Sequence, residues 1–138
     1  MANRNFASGG KIYSMHVMPV AVDCTIAIGA SGSVSSIKGP LVNSVEHVST
    51  GVYKIHLSNN FNRLFMALGS AQKASGGLSG ILAVEIQNAP DAAVQNLSDP
   101  SLTITCLDAA GAAANPANGS SISVLMYLSN SSVVIQGE

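Results

Sequence analysis

Apolar residues alternate with polar or small ones along much of this chain. Val20, Val22, Cys24, Ile26 and Ile28 are interleaved with Ala21, Asp23, Thr25 and Ala27. Ile122, Val124, Met126 and Leu128 are interleaved with Ser123, Leu125 and Tyr127, and Leu82, Val84 and Ile86 with Ala83, Glu85 and Gln87. A period of two marks strands that turn one face to a core. Chain breakers separate these runs at Gly9-Gly10, Gly29 to Gly32, Gly39-Pro40, Ser75 to Gly80, Ala89-Pro90 and Asn115 to Ser121. The pattern predicts strands at Lys11–Met18, Val20–Ile28, Ser33–Ile37, Val42–Val48, Val52–Leu57, Leu64–Ser70, Ile81–Gln87, Leu102–Leu107 and Ile122–Leu128. Pro19 removes a donor and favours a bend between the first two.

Many short strands with turn signals between them predict an all-β fold, a single-domain antiparallel β-sandwich or flattened barrel. The inside should hold Val22, Cys24, Ile26, Val84, Ile86, Ile104, Cys106, Val124 and Met126. Residues 1–10 show no alternation and read as an N-terminal arm, with a single β domain over 11–138. The 138 residues suit one domain with a core of its own.

One hairpin is predicted in register. Ser49-Thr50-Gly51 reads as a three-residue loop with Gly51 in the left-handed position. Pairing Val48 with Val52 sets Glu46 opposite Lys54, Val45 opposite Ile55, His47 opposite Tyr53 and His56 opposite Ser44. An ion pair and an apolar pair then follow from one register. Helix is nearly absent: Asp91–Leu97 predicts two turns, Asn59–Leu64 a single turn, and Ala109–Ala117 a loop.

Charge changes the picture. Only 9% of residues are charged, against about 25% in ordinary domains. Ala, Gly, Ser and Asn fill the gap, which suits a surface packed against copies or neighbours. Net charge is −1, and Arg4, Lys11, Lys38, Lys54, Arg63 and Lys73 are scattered, so no stripe exists to displace counterions from nucleic acid. The first residues lack the apolar run of a signal peptide, and Met15 to Ile28 is interrupted by His16, Pro19, Asp23 and Thr25. The expectation is a product made in the cytoplasm, without membrane insertion.

Candidate chemistry is sparse. Cys24 and Cys106 sit on alternating apolar faces and read as two core thiols. His16, His47 and His56 show no paired metal-ligand spacing with them. No Gly-x-Ser-x-Gly elbow occurs, and Asp23, Asp91, Asp99 and Asp108 fall at strand ends or turns. Gly29 to Ser33 lacks the Gly-Lys-Ser/Thr and the helix of a phosphate loop. The Asn-x-Ser matches at Asn96, Asn118 and Asn130 follow from an Asn/Ser-rich composition. The chain therefore reads as a structural or binding protein and not an enzyme, with no catalytic, cofactor or metal site.

Three stretches carry a resemblance. They are Met-Ala-Asn-Arg-Asn-Phe with Gly9-Gly-Lys-Ile-Tyr-Ser-Met-His-Val-Met-Pro19; Gly51-Val-Tyr-Lys-Ile-His-Leu-Ser-Asn-Asn-Phe-Asn-Arg-Leu-Phe65; and Asp108-Ala-Ala-Gly with Asn115-Pro-Ala-Asn-Gly-Ser and Leu125-Met-Tyr-Leu-Ser-Asn-Ser-Ser-Val133. Together they resemble small virion structural proteins of tailed bacteriophages, most of all capsid decoration, or cement, proteins. Head-fibre and tail-associated proteins carry similar β-rich cassettes. The resemblance implies a place on the capsid surface, the major capsid protein as partner, and self-association as a homo-trimer on the particle. The alternative class is an independent β-sandwich binding module, for instance for a glycan. It is weakened by the lack of Trp and by only three tyrosines, Tyr13, Tyr53 and Tyr127. The arm holds one charge, one apolar anchor and two amides in Asn3, Arg4, Asn5 and Phe6, which are the expected contacts with the shell or an adjacent copy.

Overall fold

The computed structural model describes residues 19–129, apart from 74–75 and 88–89. The expected strand at 11–18 and the N-terminal arm, with Asn3, Arg4, Asn5 and Phe6, lie outside the described residues. The described strands, in chain order, are β1 (Pro19–Ile28), β2 (Val34–Lys38), β3 (Val42–Ser49), β4 (Val52–Leu57), β5 (Arg63–Lys73), β6 (Ala83–Ile86), β7 (Ser101–Leu107) and β8 (Ser120–Ser129). Among the described residues one α-helix, α1 (Pro90–Gln95), precedes β7, and a 3-10 turn at Ala30–Gly32 follows β1.

The strands form two four-stranded antiparallel sheets, β2-β1-β8-β5 and β3-β4-β7-β6. The sheets stack as a sandwich and do not close into a barrel. The period of two explains the layers. In β1, Val22, Cys24, Ile26 and Ile28 are buried while Ala21 and Asp23 are exposed, and in β8 Ile122, Val124, Met126 and Leu128 are buried. Tyr53, Ile55, Leu102, Ile104 and Cys106 supply the facing layer from β4 and β7. Each large apolar side chain so buried contributes about 1.5–3 kcal/mol. Of the residues expected inside, Val84 and Ile86 are only half-buried, because β6 is a sheet edge.

Antiparallel order fixes which loops share an end. The connections 29–33, 50–51 and 108–119, with residues 76–82, meet at one end of the sandwich. The connections 39–41 and 58–62 and residues 90–100, with Pro19 and Ser129, lie at the other. There α1 closes the core: Val94 and Phe61 are buried, Phe61 N donates to Val94 O at 2.9 Å, and Leu64 N donates to Asp91 Oδ1 at 2.8 Å.

Several expectations need correction. The hairpin holds Glu46 opposite Lys54, Val45 opposite Ile55 and His47 opposite Tyr53, but Val52 pairs with Ser49. A bulge between His47 and Ser49 takes up Val48, which is exposed, so Thr50-Gly51 alone makes the turn with Gly51 at φ 72°. No helical turn forms over 59–64, because burying Phe61 pulls that segment into a bend. The helix stops at Gln95 because Asn96 Oδ1 takes the amides of Ser98 (2.9 Å) and Asp99 (3.1 Å). Leu82, expected on the inward side of a strand, lies before β6 and is 75% exposed.

Candidate functional site

The loop end is held together by one amide. Asn115 Oδ1 accepts from Gly51 N at 2.7 Å and from His47 Nε2 at 3.1 Å, while Asn115 Nδ2 donates to Ser31 O at 3.1 Å. Three loops are thus joined through one side chain. Close packing reinforces this. A Cβ on Gly32 would lie 2.5 Å from Asn115 Cγ, and one on Gly51 would lie 2.7 Å from the Ala114 backbone. His47 stacks on Tyr53, with ring centroids 5.0 Å apart. The Tyr53 hydroxyl donates to Gly32 O at 2.8 Å inside the core. Burial pushes the Tyr53 phenol up to about 12, with the Cys106 thiol adding to the shift. The segment Gly29–Ser33 is closed by Gly29 N donating to Ser33 O at 2.8 Å.

The fourth loop at this end behaves differently. Ser79 anchors it, accepting from Ala117 N at its carbonyl (2.8 Å) and from Ile81 N at its hydroxyl (3.2 Å). Leu78 and Leu82 on either side stand 87% and 75% exposed. They border an open groove of about 500 Å³ shared with Ala71, Ile81 and Ala109. Two nearly naked leucines beside an anchored residue are what a docking surface presents.

A second cluster lies on the outer face of the second sheet. Lys54 Nζ meets Asp99 Oδ2 at 2.6 Å, His56 Nδ1 meets Asp99 Oδ1 at 2.6 Å, and His56 Nε2 faces Glu46 Oε1 at 3.5 Å. Lys54 therefore pairs with Asp99, although Glu46 is opposite it in register. The Lys54 ammonium and then the His56 ring, both bonded to its carboxylate, hold Asp99 below the usual carboxylate range. A His-Asp pair suggests a base and its orienting carboxylate, but the other ring nitrogen faces Glu46 and not a hydroxyl. The cluster fastens the 96–100 segment to β4.

The remaining candidates behave as core. Cys24 and Cys106 are buried free thiols, one in each sheet. Burial pushes both up to about 11, with Asp23 adding to Cys24. Among the described residues no group of three His, Cys, Asp or Glu side chains is placed to hold a metal. Sequence reasoning missed Asn115 and Asp99 as organising residues. Each looks like an ordinary turn residue, and its partners are 43 to 84 positions away. Comparison of the chain with protein-family models, with curated proteins and with solved structures finds no match.

Proposed function

We propose that this chain is a structural virion protein of a tailed bacteriophage, a decoration or cement protein that binds the outside of the capsid and stabilises the shell. The observation that carries the reading is the loop end: three loops locked through Asn115, and beside them Leu78 and Leu82 held out in solvent. A locked frame lowers the entropy lost on docking, and two exposed leucines supply apolar area to bury. The resemblance of three stretches and the charge-poor composition support the same reading. A glycan-binding module fits less well, since Tyr53 is fully buried with its hydroxyl engaged.

Burying Leu78 and Leu82 would contribute about 1.5–3 kcal/mol each, so losing either weakens binding by about tenfold or more. The test is a titration of the full chain onto undecorated particles, against Leu78→Asp, Leu82→Asp and the double variant. The expected result is saturable binding that the double variant loses while its circular dichroism is unchanged. Native protein that leaves particles bare at saturating concentration, or a double variant that binds normally, would overturn the proposal.

A further inference from the structure

The outer face of the first sheet carries almost no charge. Its register orders it into rows across the strands. One row runs Asp23, Leu125, Leu68, and the next runs Lys38, Thr25, Ser123, Ser70. Leu68 and Leu125 of the first row, with Met66 and Tyr127 behind them, form an apolar ridge on which Leu68 is 55% and Met66 47% exposed. The second is made of small side chains. A hollow of about 380 Å³ lies against it, bordered by Thr25, Ser70 and Ser123 on one side and by Leu68 and Leu125 on the other. The large side chains of the first row and the small ones of the second lie side by side on one face, with the hollow between them.

We propose that this face is where a second copy of the chain packs, face to face about a two-fold axis. The axis lies in the interface, perpendicular to the strands, between the two rows. This operation sets the row of Leu68 and Leu125 over the partner's row of Ser70 and Ser123, and the reverse. It also fixes the charges. Asp23 comes to lie over the partner's Thr25, one strand away from the partner's Lys38, and the same contact repeats across the axis. No ion pair joins Asp23 or Lys38 to another described residue of its own copy. One symmetry operation thus fits shape and charge together, as an isologous contact requires.

The area is adequate. Four strands spaced about 4.8 Å apart, over a paired length of about 30 Å, give a footprint of roughly 570 Å² per copy. Two copies bury somewhat over about 1,100 Å², the lower end of specific interfaces, so the pair is a weak, concentration-dependent dimer. Pairing through the β5 edge is disfavoured, because full antiparallel register about Leu68 sets Arg63 beside the partner's Lys73. The two-fold contact also differs from the trimer that the resemblance implies. It goes beyond the shell-binding proposal and does not depend on it.

Sedimentation velocity of the full chain, in the absence of particles and from about 1 to 500 µM, tests the contact directly. The expected result is a monomer–dimer equilibrium. Leu68→Asp should weaken it at least tenfold, with unchanged circular dichroism. Asp23→Lys and Lys38→Asp should each weaken it several-fold, and the doubly reversed variant should return to within about threefold of the native constant. A chain that stays monomeric throughout or forms trimers overturns the inference. So does a Leu68→Asp variant that dimerises normally, or a double reversal that recovers nothing. Shell binding is read separately on particles, so either proposal can fail alone.

Discussion

Replacing Asn115 by Ala should unlock the loop end. Gly51 is buried, and Asn115 Oδ1 is the protein acceptor of its N–H. The Gly51 N–H would be left without a partner, which costs about 1–3 kcal/mol. The bonds to His47 Nε2 and Ser31 O are less enclosed and add about 0.5–1 kcal/mol each. The total is about 2–5 kcal/mol. At roughly 3–5 °C per kcal/mol for a chain of this size, Tm should fall by about 6–25 °C.

Two measurements check this. Denaturant unfolding gives the free-energy change, and amide exchange reads Gly51 directly: its N–H should lose protection in the variant while the amides of β8 keep theirs. Asn115→Asp is the control. It keeps the acceptor for Gly51 N and loses the donor to Ser31 O, so it should cost clearly less than Asn115→Ala. If Asn115→Ala changes stability by less than about 0.5 kcal/mol, the side chain does not join the loops in the way its distances imply.

Three further outcomes follow from the packing. Cys24 and Cys106, buried and pushed up to about 11, should react with a thiol reagent at pH 8 only as fast as the protein unfolds; rapid labelling of native protein would contradict their burial. Asp99 is held below its ordinary carboxylate value, so its stabilising contribution is complete above about pH 4 and is lost as pH falls through the depressed value. The stability gap between native protein and Asp99→Asn, measured by thermal melts, should therefore be steady above about pH 4 and close as the pH falls below it. A Cβ on Gly69 would lie 2.6 Å from Val84 Cγ1, so Gly69→Ala should cost about 1–3 kcal/mol, and adding Val84→Ala should recover part of it.

Strand existence was legible because β1, β4, β7 and β8 are interior strands with one face on the core. Burying alternate residues there leaves period two in the sequence. Edge strands bury less, so β2 and β6 were misplaced at their ends, and β5 proved longer than its pattern. Leu82 continues the spacing of Val84 and Ile86, but the chain turns into β6 after it, and periodicity carries no signal for that turn. Hairpin register was legible from short-range pairs, except where the bulge absorbed Val48. Sheet order was not. Strand β8 pairs with β1 roughly a hundred positions away, and nothing in the alternation of either strand names its neighbour. Asn115 and Asp99 were hidden for the same reason, since their partners come together only after both sheets have stacked.

The two outer faces of the sandwich differ in a way that sets an orientation. The second sheet turns out Lys54, His56, Glu46, Glu85 and Thr105, and all but Glu85 satisfy one another or near neighbours: Lys54 and His56 on Asp99, Glu46 beside His56, and Gln87 on Thr105 at 3.0 Å. A face whose charges are mostly paired gains little from a partner and tolerates water well. The first sheet turns out an apolar ridge, a hollow and two charges that pair with no described residue of their own copy. Both faces come from strands of similar composition, so the contrast lies in where the alternation places each residue and not in overall hydrophobicity. On a particle, one copy would set its loop end with Leu78 and Leu82 toward the shell, and because the two-fold reverses strand direction, a second copy packed on its first sheet would turn its own loop end away from the shell. The second sheet would face solvent, where an Asp99→Asn variant should lose stability but bind the shell as the native chain does.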